Sequence, residues 1–408
     1  MKVLYIHMIG AFGGASRSLS ECIAAFPPGT VEPHFVTAQG SVEPFFTALG
    51  PVITAPGMTQ FDNTRYSYYR GLRWIVALRE LRYLPGTLAA LRRAARQWPD
   101  IELIHVNEFT GLVPWLLARR WFKVPVVVHV RSVARNTSGS LRTRLVFAML
   151  ARKADAVIAI DETVRESLPA DLTVSVVHNS FSPTKVAAGT PPLTQPTGLR
   201  PGSFKVGFVG NLLKVKGIHE LVAAATILVG RGIDVEFVVV GDNAAPSGGM
   251  KARTLRLLGL EQNVKVAVLA EIDRLGLKDR FHMVGFTARI AEAYGLMDVL
   301  CFPSHFDAPG RPIFEAALVG VPSIAAIRNP KADTLVHGVT GLAVPPKDAP
   351  ALADAIEILA NDRARARAMG AAGQAMATEN FNAAKNAAKI LEIYRAVLSR
   401  GARSHRQL

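Results

Sequence analysis

Short apolar runs, many of them β-branched, alternate with longer segments of helical spacing along most of the chain, and this alternation restricts the possible folds more than any other feature. The runs are continuous rather than alternately apolar and polar, which is typical of parallel strands covered by helices on both faces. Repeated βα units connect through right-handed crossovers, so the sequence predicts an α/β fold with open, doubly wound sheets. The predicted strands of the first half are residues 3–8, 34–37, 103–106, 124–130, 156–160 and 174–177, and the predicted helices are 18–26, 87–97, 111–119 and 141–152.

A second βα series follows a proline-rich stretch, residues 182–203, which contains five prolines and has the character of a linker. We therefore expect two Rossmann-like domains with parallel sheets, residues 1–182 and 204–385, joined by a linker at 183–203. Residues 386–408 are expected to form a last helix, returning to the first domain, and a basic tail. Ligands bind at the carboxyl ends of the strands in such sheets, so we expect them in a central cleft that both sheets face. The predicted strands of the second half are residues 204–209, 235–240, 281–284, 299–303 and 322–326, and the predicted helices are 218–230, 290–296, 313–318, 349–359, 363–379 and 383–399.

The composition excludes several classes of protein. Hydrophobic residues make up 50% of the chain and charged residues 19%, which excludes an intrinsically disordered chain. Only Cys22 and Cys301 are present, far apart, which argues against a disulfide framework or a cysteine zinc site and favours a reducing compartment. No run of uncharged apolar residues is long enough to span a bilayer. The predicted location is therefore the cytoplasm.

Basic residues are concentrated in one part of the chain. The formal net charge is +15, and the stretch from Arg65 to Lys153 alone holds 17 basic and 4 acidic residues. Such an excess is typical of proteins that meet nucleic acid, phosphate-bearing substrates or an anionic membrane. From Arg65 to Trp98, arginines alternate with tyrosine and tryptophan, which predicts peripheral contact with the inner face of the cytoplasmic membrane. The alternative is that these arginines are ordinary solvent-exposed residues on the surfaces of helices. Nucleic-acid binding is a third option, but no recognition motif accompanies the charge.

Two glycine-containing loops are candidates for ligand binding. Gly13 and Gly14 come directly before a predicted helix, whose N-terminus favours a phosphate or a carboxylate, although a plain tight turn explains them equally well. In the second half, Gly210 and Asn211 follow a predicted strand, and Lys216 comes just before the next helix. A lysine in that position is suited to a diphosphate, and the alternative is a solvated loop lysine.

A third segment, residues 301–322, carries two carboxylates. Asp307 is predicted in a loop after a strand, and Glu315 on the first turn of the following helix, where the helix dipole favours the ionised form. Ionised carboxylates accept hydrogen bonds from hydroxyl groups, so the pair suits a polyhydroxylated ligand. The alternative is a loop cap and an N-terminal helix charge that bind no ligand.

Polar residues also end neighbouring strands of the first half. His129 closes the strand at 124–130 and is followed by Arg131, while His105 and Asn107 end the preceding strand. Carboxyl ends of parallel strands meet at one edge of a sheet, so we expect these side chains to converge on one rim. His129 is the predicted catalytic residue of this rim and Arg131 a predicted substrate-binding residue, whereas a partly buried structural histidine is the alternative.

Several segments together resemble the family-4 retaining glycosyltransferases, which have the GT-B fold. They are Gly-Gly-Ala-Ser-Arg from Gly13, VGNLLKVKG, FVVVGD, VLCFPSHFDAPGRPIFEAALVGVPSIA and HGVTGLAVPP. The resemblance implies that Glu315 binds the nucleotide ribose and Asp307 contacts the transferred sugar. It also implies that the amide of Gly310 faces the donor and that Asn211 and Lys216 fall on the pair that holds the diphosphate. Arg311 and Ile313, in the same motif, are further predicted substrate-binding residues.

The sequence departs from the family pattern at three places. Asp307 is one methylene shorter than the usual Glu, and Asn211 replaces an Arg. Residues 329–333, Asn-Pro-Lys-Ala-Asp, replace a Gly-Gly-x-x-Glu segment. Lys331 and Arg311 are candidates to restore the charge missing at position 211. These departures favour an alternative in which the chain is a catalytically weak binding or scaffold subunit.

The predicted activity is a retaining hexosyl transfer from a nucleotide-diphospho-sugar to a glycan or lipid-linked acceptor, in polysaccharide biosynthesis. No Asp-x-Asp sequence and no cluster of metal-ligand spacing occurs, so the transfer is predicted to need neither metal nor cofactor beyond the donor. The resemblance implies front-face attack by the acceptor hydroxyl. A nucleotide-sugar epimerase of the same fold is a second alternative, since it would need no acceptor.

Overall fold

The computed structural model describes residues 1–65, 73–135, 140–181, 193, 196, 198–243 and 264–405. The chain divides into two compact units, each with a parallel sheet. Unit 1 comprises Met1–Ser182 and Phe381–Leu408, and unit 2 comprises Pro183–Asn380. The predicted α/β class is confirmed. The predicted linker at 183–203 lies largely outside the described residues.

Unit 1 is built on a seven-stranded parallel sheet in the order β3-β2-β1-β4-β5-β6-β7. Its continuous apolar strands are buried because helices cover both faces. The first strand, which begins at Lys2, lies inside the sheet between β2 and β4. The strands are β1 Lys2–His7, β2 Glu32–Ala38, β3 Val52–Ala55, β4 Leu103–Val106, β5 Val126–Val130, β6 Ala156–Ala159 and β7 Ser175–Val176.

Helices connect these strands, and their apolar faces form the core of unit 1. Leu91 and Trp115 lie in the cluster on one face of the sheet, whereas Leu19 and Ile23 lie in the cluster on the other face. The helices are α1 Gly14–Ala24, α2 Glu43–Thr47, α3 Arg73–Gln97, α4 Leu112–Phe122, α5 Leu141–Lys153 and α6 Glu162–Glu166. None of the helices in the described part of the chain is long and apolar enough to cross a membrane.

Unit 2 contains a six-stranded parallel sheet in the order β10-β9-β8-β11-β12-β13. Its strands are β8 Phe204–Val209, β9 Val235–Val240, β10 Phe281–Gly285, β11 Val299–Phe302, β12 Ser323–Ala326 and β13 Gly341–Val344. The helices are α7 Ile218–Gly230, α8 Val264–Arg274, α9 Ile290–Tyr294, α10 Arg311–Leu318, α11 Ala349–Asn361 and α12 Arg363–Asn380. Because β8, β11 and β12 are neighbours, the loops at their carboxyl ends are adjacent.

The last helix, α13 (Ala383–His405), belongs to unit 1. Its buried residues Ile390, Tyr394 and Val397 recur at helical spacing and lie in one apolar cluster with Val3 and Leu103 of the sheet. The C-terminal segment therefore contributes to the core around the first strand.

Several elements differ from the prediction. β3, β13, α2, α6 and α8 were not predicted, and α3 begins at Arg73 rather than at residue 87. Proline inside a helix removes a backbone hydrogen bond, so Pro85 argued against a longer helix. The structure nevertheless continues through it, and Ala90, Leu91 and Ala94 bury the second half of α3 against the sheet.

Removing the apolar contact of α13 is expected to destabilise unit 1. Ile390→Ala leaves a cavity in a buried cluster, which typically lowers the free energy of unfolding by about 2–5 kcal/mol. Lys389→Ala is the matched control, because Lys389 is the exposed neighbour on the same helix. Urea unfolding measures both variants. Equal midpoints for the two would contradict the packing of α13 described above.

Candidate active site

The turn that carries Lys216 is fixed by close contact with the loop after β11. Gly217 has φ +81°, and a Cβ there would lie 1.9 Å from the carbonyl oxygen of Pro303. The amide of His305 donates to the carbonyl of Val215 at 3.0 Å. The His305 imidazole Nε2 lies 2.8 Å from Glu220 Oε1, at the start of α7. These contacts require glycine at 217 and place the 3₁₀ turn Lys214–Lys216 against the β11 loop.

Lys216 lies over two aromatic rings of that loop. Its ammonium Nζ is 5.7 Å from the ring centre of Phe302 and 5.3 Å from that of Phe306, within range of cation–π attraction. Burial lowers the pKa of Lys216 from its ordinary value. Within the described part of the chain, no carboxylate pairs with this ammonium group. The turn thus holds a half-buried cation next to the carboxyl ends of β8 and β11.

Asp307 follows Phe306 in the β11 loop and is paired with an arginine from the neighbouring loop. Its backbone has φ +48°, a left-handed conformation that Asp tolerates better than most residues. Asp307 Oδ1 accepts the backbone N–H of Arg328 at 2.8 Å, and Oδ2 accepts Arg328 Nη1 at 2.9 Å. Asp307 therefore joins the loops after β11 and β12.

Glu315 is buried, with 3% of its surface exposed, and is held by two partners. Arg311 Nε and Nη2 lie 2.9 and 2.8 Å from Glu315 Oε1, and the Tyr294 hydroxyl donates to Oε2 at 2.9 Å. The prediction that Glu315 lies on the first turn of its helix is wrong. α10 begins at Arg311 after the N-cap Gly310, with Pro312 in its first turn, so Glu315 lies on the second turn.

The other predicted residues of unit 2 surround this edge. A Cβ on Gly310 would lie 2.4 Å from the ring of Phe302, so any other residue there would require the ring to move. Ile313 packs its side chain in an apolar cluster with Phe302. Gly210 and the exposed Asn211 follow β8, and a Cβ on Gly241 would lie 2.0 Å from the Gly210 carbonyl oxygen. The structure therefore brings the predicted residues of unit 2 to the ends of neighbouring strands.

In unit 1, Arg131 joins the polar side chains at the ends of β1, β4 and β5. Its Nη1 donates to Asn179 Oδ1 at 2.8 Å, its Nη2 lies 3.3 Å from His129 Nδ1, and its Nε donates to Asn107 Oδ1. Asn107 Nδ2 in turn lies 2.9 Å from His7 Nδ1. The expected convergence of His129, Arg131 and Asn107 on one rim is present, and Arg131 is its centre.

This network fixes the proton on His129. Arginine only donates, so His129 Nδ1 accepts and the proton of the neutral ring lies on Nε2. Among the described residues, His129 Nε2 has no hydrogen-bond partner although it is buried. Burial and then the nearby Arg131 hold the pKa of His129 well below its ordinary value. The residue is therefore a neutral donor.

Two other residues of this rim were not predicted from the sequence. The Tyr394 hydroxyl of α13 lies 2.6 Å from His105 Nδ1, and the His105 ring centre is 5.3 Å from that of His129. Glu108 accepts the Ser132 hydroxyl at 2.6 Å and the Phe109 amide at 2.9 Å, and burial raises its pKa to about 7. Glu108 directly follows Asn107 and could have been noticed as a carboxylate after a strand; no local signal marks Tyr394.

Gly13 and Gly14 lie at the start of α1. Gly13 is the N-cap, its amide donates to Ser16 Oγ at 2.8 Å, and a Cβ on Gly13 would meet nothing within 4 Å. Gly10 is the glycine that close packing requires, because a Cβ there would lie 1.9 Å from the Gln39 carbonyl oxygen. The space beside Gly13 is compatible with a ligand at this helix terminus.

Two family models match the chain. The model described as Glycosyltransferase Family 4 matches residues 12–184, and the model described as Glycosyl transferases group 1 matches residues 191–376. The chain belongs to glycosyltransferase family 4. The two matches together span most of the chain and cover both units, including the predicted site residues of each.

Relatives and solved structures agree with this family. The D-inositol 3-phosphate glycosyltransferase of Nocardia farcinica is 29% identical over 77% of this chain and 71% of that protein. The capsular polysaccharide biosynthesis glycosyltransferase CapM of Staphylococcus aureus is 29% identical over 44% of this chain, and the match spans only 43% of CapM. Anabaena HepE, solved in complex with UDP, has a TM-score of 0.73 at 23% identity, covering 97% of this chain and all of that one. The shared fold is GT-B, with two parallel-sheet, Rossmann-like domains.

Gly217→Ala is expected to damage the Lys216 turn more than an equivalent change elsewhere. Both Gly217 and Gly232 have positive φ, +81° and +74°, so alanine costs about 1–2 kcal/mol of strain at either position. Only at Gly217 does the new Cβ also meet a carbonyl oxygen. Gly232→Ala is therefore the matched control. Unfolding midpoints that fall equally in both variants would contradict the close contact with Pro303.

Acidification is expected to destabilise unit 1. Burial lowers the pKa of His7 and of His105 to about 3, and His129 also stays neutral. The unfolded chain binds these protons near pH 6.5, so the free energy of unfolding falls as pH decreases below that value. Glu108 has the opposite effect between pH 4.5 and about 7. In this range the folded chain binds a proton at Glu108 that the unfolded chain does not, so this group raises the free energy of unfolding as pH falls.

On acidification the three histidines lower the free energy of unfolding and the one carboxyl group raises it. Each group contributes about 1.4 kcal/mol per pH unit, so the net loss is up to about 3 kcal/mol per pH unit. Denaturant unfolding at pH 7 and 5.5 measures it. His105→Gln is expected to reduce the pH dependence, and His337→Gln, at an exposed position of unit 2, serves as the control. A stability that rises between pH 7 and 5.5 would contradict burial of neutral histidines.

Proposed function

We propose that this glycosyltransferase moves a hexose from a nucleotide-diphospho-sugar to an acceptor, with retention of configuration and without a metal ion. The observation that carries the proposal is the edge of unit 2 at which the half-buried cation Lys216, in the turn after β8, and the buried carboxylate Glu315, on the helix that follows the neighbouring strand β11, are found. The cation is suited to binding a diphosphate, and the carboxylate is suited to accepting hydrogen bonds from the hydroxyl groups of a ribose. Anabaena HepE, of the same fold, has been solved with UDP-glucose, which supports a nucleotide-sugar donor here.

Glu315 is proposed to bind the ribose. A carboxylate can accept about four hydrogen bonds, and Arg311 and Tyr294 supply three donors. One acceptor position on Oε2 therefore remains for a hydroxyl group.

Lys216 is proposed to stabilise the leaving diphosphate. The charge that develops on the departing oxygen is best stabilised by groups already fixed in place, in a site of low dielectric constant. Lys216 meets this condition because Gly217, His305 and two aromatic rings fix its turn. The acceptor hydroxyl is proposed to attack from the face that the diphosphate leaves, with a phosphate oxygen taking its proton.

Unit 1 is proposed to hold the acceptor. Neutral His129 is proposed to offer its Nε2–H to an acceptor hydroxyl, and Arg131, Gly13 and Gly14 are the other proposed binding residues of this unit. A glycan or lipid-linked saccharide is the proposed acceptor class. CapM, a relative, is named for capsular polysaccharide biosynthesis, which supports a role in polysaccharide assembly.

The surface of α3 supports the proposed contact with an anionic membrane. Leu78 and Leu81 are 58% and 64% exposed, and Arg82, Arg92 and Arg93 are exposed on the same helix. Exposed leucines among arginines suit the interface of a bilayer with anionic headgroups. Part of the predicted segment from Arg65 to Trp98, residues 66–72, lies outside the described residues.

A binding subunit without turnover is the second candidate function. It is favoured by the pairing of both donor-site carboxylates with arginines, together with Asn211 in place of a cation. The two functions differ in one measurable property, which is release of nucleoside diphosphate in the presence of an acceptor.

Lys216→Ala is expected to weaken binding of the donor about 10- to 100-fold, because a charged contact to phosphate is worth about 1.5–3 kcal/mol. Titration calorimetry of UDP-, GDP- and ADP-sugars, with EDTA present, measures the affinity. Lys214→Ala is the matched control, since Lys214 is exposed on the same turn. Equal affinities for wild type and Lys216→Ala would contradict the proposed role, and binding abolished by EDTA would contradict metal independence.

A further inference from the structure

The loops after β11 and β12 are joined by an ion pair whose two members differ in exposure. The Asp307 side chain is 18% exposed, whereas that of Arg328 is 59% exposed. Asp307 uses both carboxylate oxygens, one on the Arg328 amide and one on the guanidinium. The backbone and the side chain of Arg328 are thus fixed by the same carboxylate, and the guanidinium extends from it towards solvent.

The guanidinium of Arg328 retains donors. It carries five N–H bonds, and the contact with Asp307 at 2.9 Å involves one nitrogen, Nη1. No second acceptor contacts this side chain within the described residues. Arg311, the other arginine of this edge, instead directs both Nε and Nη2 to Glu315. The guanidinium group of Arg328 can therefore still donate hydrogen bonds to an oxyanion.

In the order of the sheet, the strand before Arg328 is two positions away from the strand before the Lys216 turn. β11 lies between β8 and β12, so its loop separates the loop of Lys216 from that of Arg328. Phe306 contacts the Lys216 ammonium at 5.3 Å and immediately precedes Asp307, which holds Arg328. One continuous row of contacts thus runs from Lys216 through Phe306 and Asp307 to Arg328.

We propose that Arg328 is a second phosphate-binding residue of the donor site, positioned by Asp307, and that it supplies the positive charge that Asn211 lacks. This inference rests on the proposed donor site of unit 2. A guanidinium presents paired donors that match a phosphate group, whereas Lys216 acts as a point charge. Asp307 is then a positioning residue, because it fixes the guanidinium that contacts the diphosphate.

The test compares nucleoside diphosphates with the corresponding nucleosides in the full chain. UDP, GDP and ADP are titrated first, and the base that wild type binds is used for the variants. Arg328→Gln is expected to weaken the diphosphate about 10- to 100-fold and to leave the nucleoside unchanged, because only the former carries phosphate. Arg328→Lys is expected to fall between wild type and Arg328→Gln.

Two further variants make the result specific. Arg231→Gln is the matched control, since Arg231 is also an exposed arginine of unit 2 that pairs with carboxylates, Asp354 and Glu357. Asn211→Arg introduced into Arg328→Gln is expected to restore diphosphate affinity by returning a cation to the neighbouring loop.

The outcomes separate the two proposals. If wild type binds none of the three diphosphates, the proposed function is overturned and the inference falls with it. If wild type binds one but Arg328→Gln binds it equally well, only the role of Arg328 is overturned. Equal loss of nucleoside and diphosphate by Arg328→Gln would also overturn it, because the residue would then support the fold rather than bind phosphate.

Discussion

The proposed donor site of unit 2 lies at the carboxyl ends of β8, β11 and β12, and it depends on the contact between the Lys216 turn and the loop after β11. Gly217 lets the backbone approach Pro303 more closely than any side chain would allow, and His305 joins the same two segments. The loop held in this way carries Phe306 and Asp307, so the position of the cation and that of the carboxylate are determined together. The parallel pairing of β8, β11 and β12 then brings Arg328 to the same edge.

In unit 1, several polar side chains are buried at the carboxyl end of the sheet, and their burial must be compensated. Unit 1 does so by holding His7, His105 and His129 neutral around the single cation Arg131. The side-chain oxygens of Asn107 and Asn179 accept hydrogen bonds from this arginine. A fixed Nε2–H on His129 follows from that arrangement.

The sequence predicted most of the fold because continuous apolar runs are characteristic of buried parallel strands. It missed β3 and β13, which are four-residue strands at the edges of their sheets. Local motifs were the basis for predicting Lys216, Glu315 and His129 as site residues, and their roles stay predictions. Tyr394 and Arg328 were not predicted, since their partners His105 and Asp307 are distant in sequence and only the packing of α13 and the pairing of β11 with β12 bring them together.

The central claim is that the carboxyl edge of unit 2 binds the nucleotide part of a sugar donor. Hydrogen–deuterium exchange of the full chain, with and without a saturating nucleoside diphosphate, tests it most directly. We expect slower exchange at residues 210–217, 304–315 and 327–329, the segments that follow β8, β11 and β12. Protection confined to unit 1, or absent from all three segments when the nucleotide is bound, would contradict it.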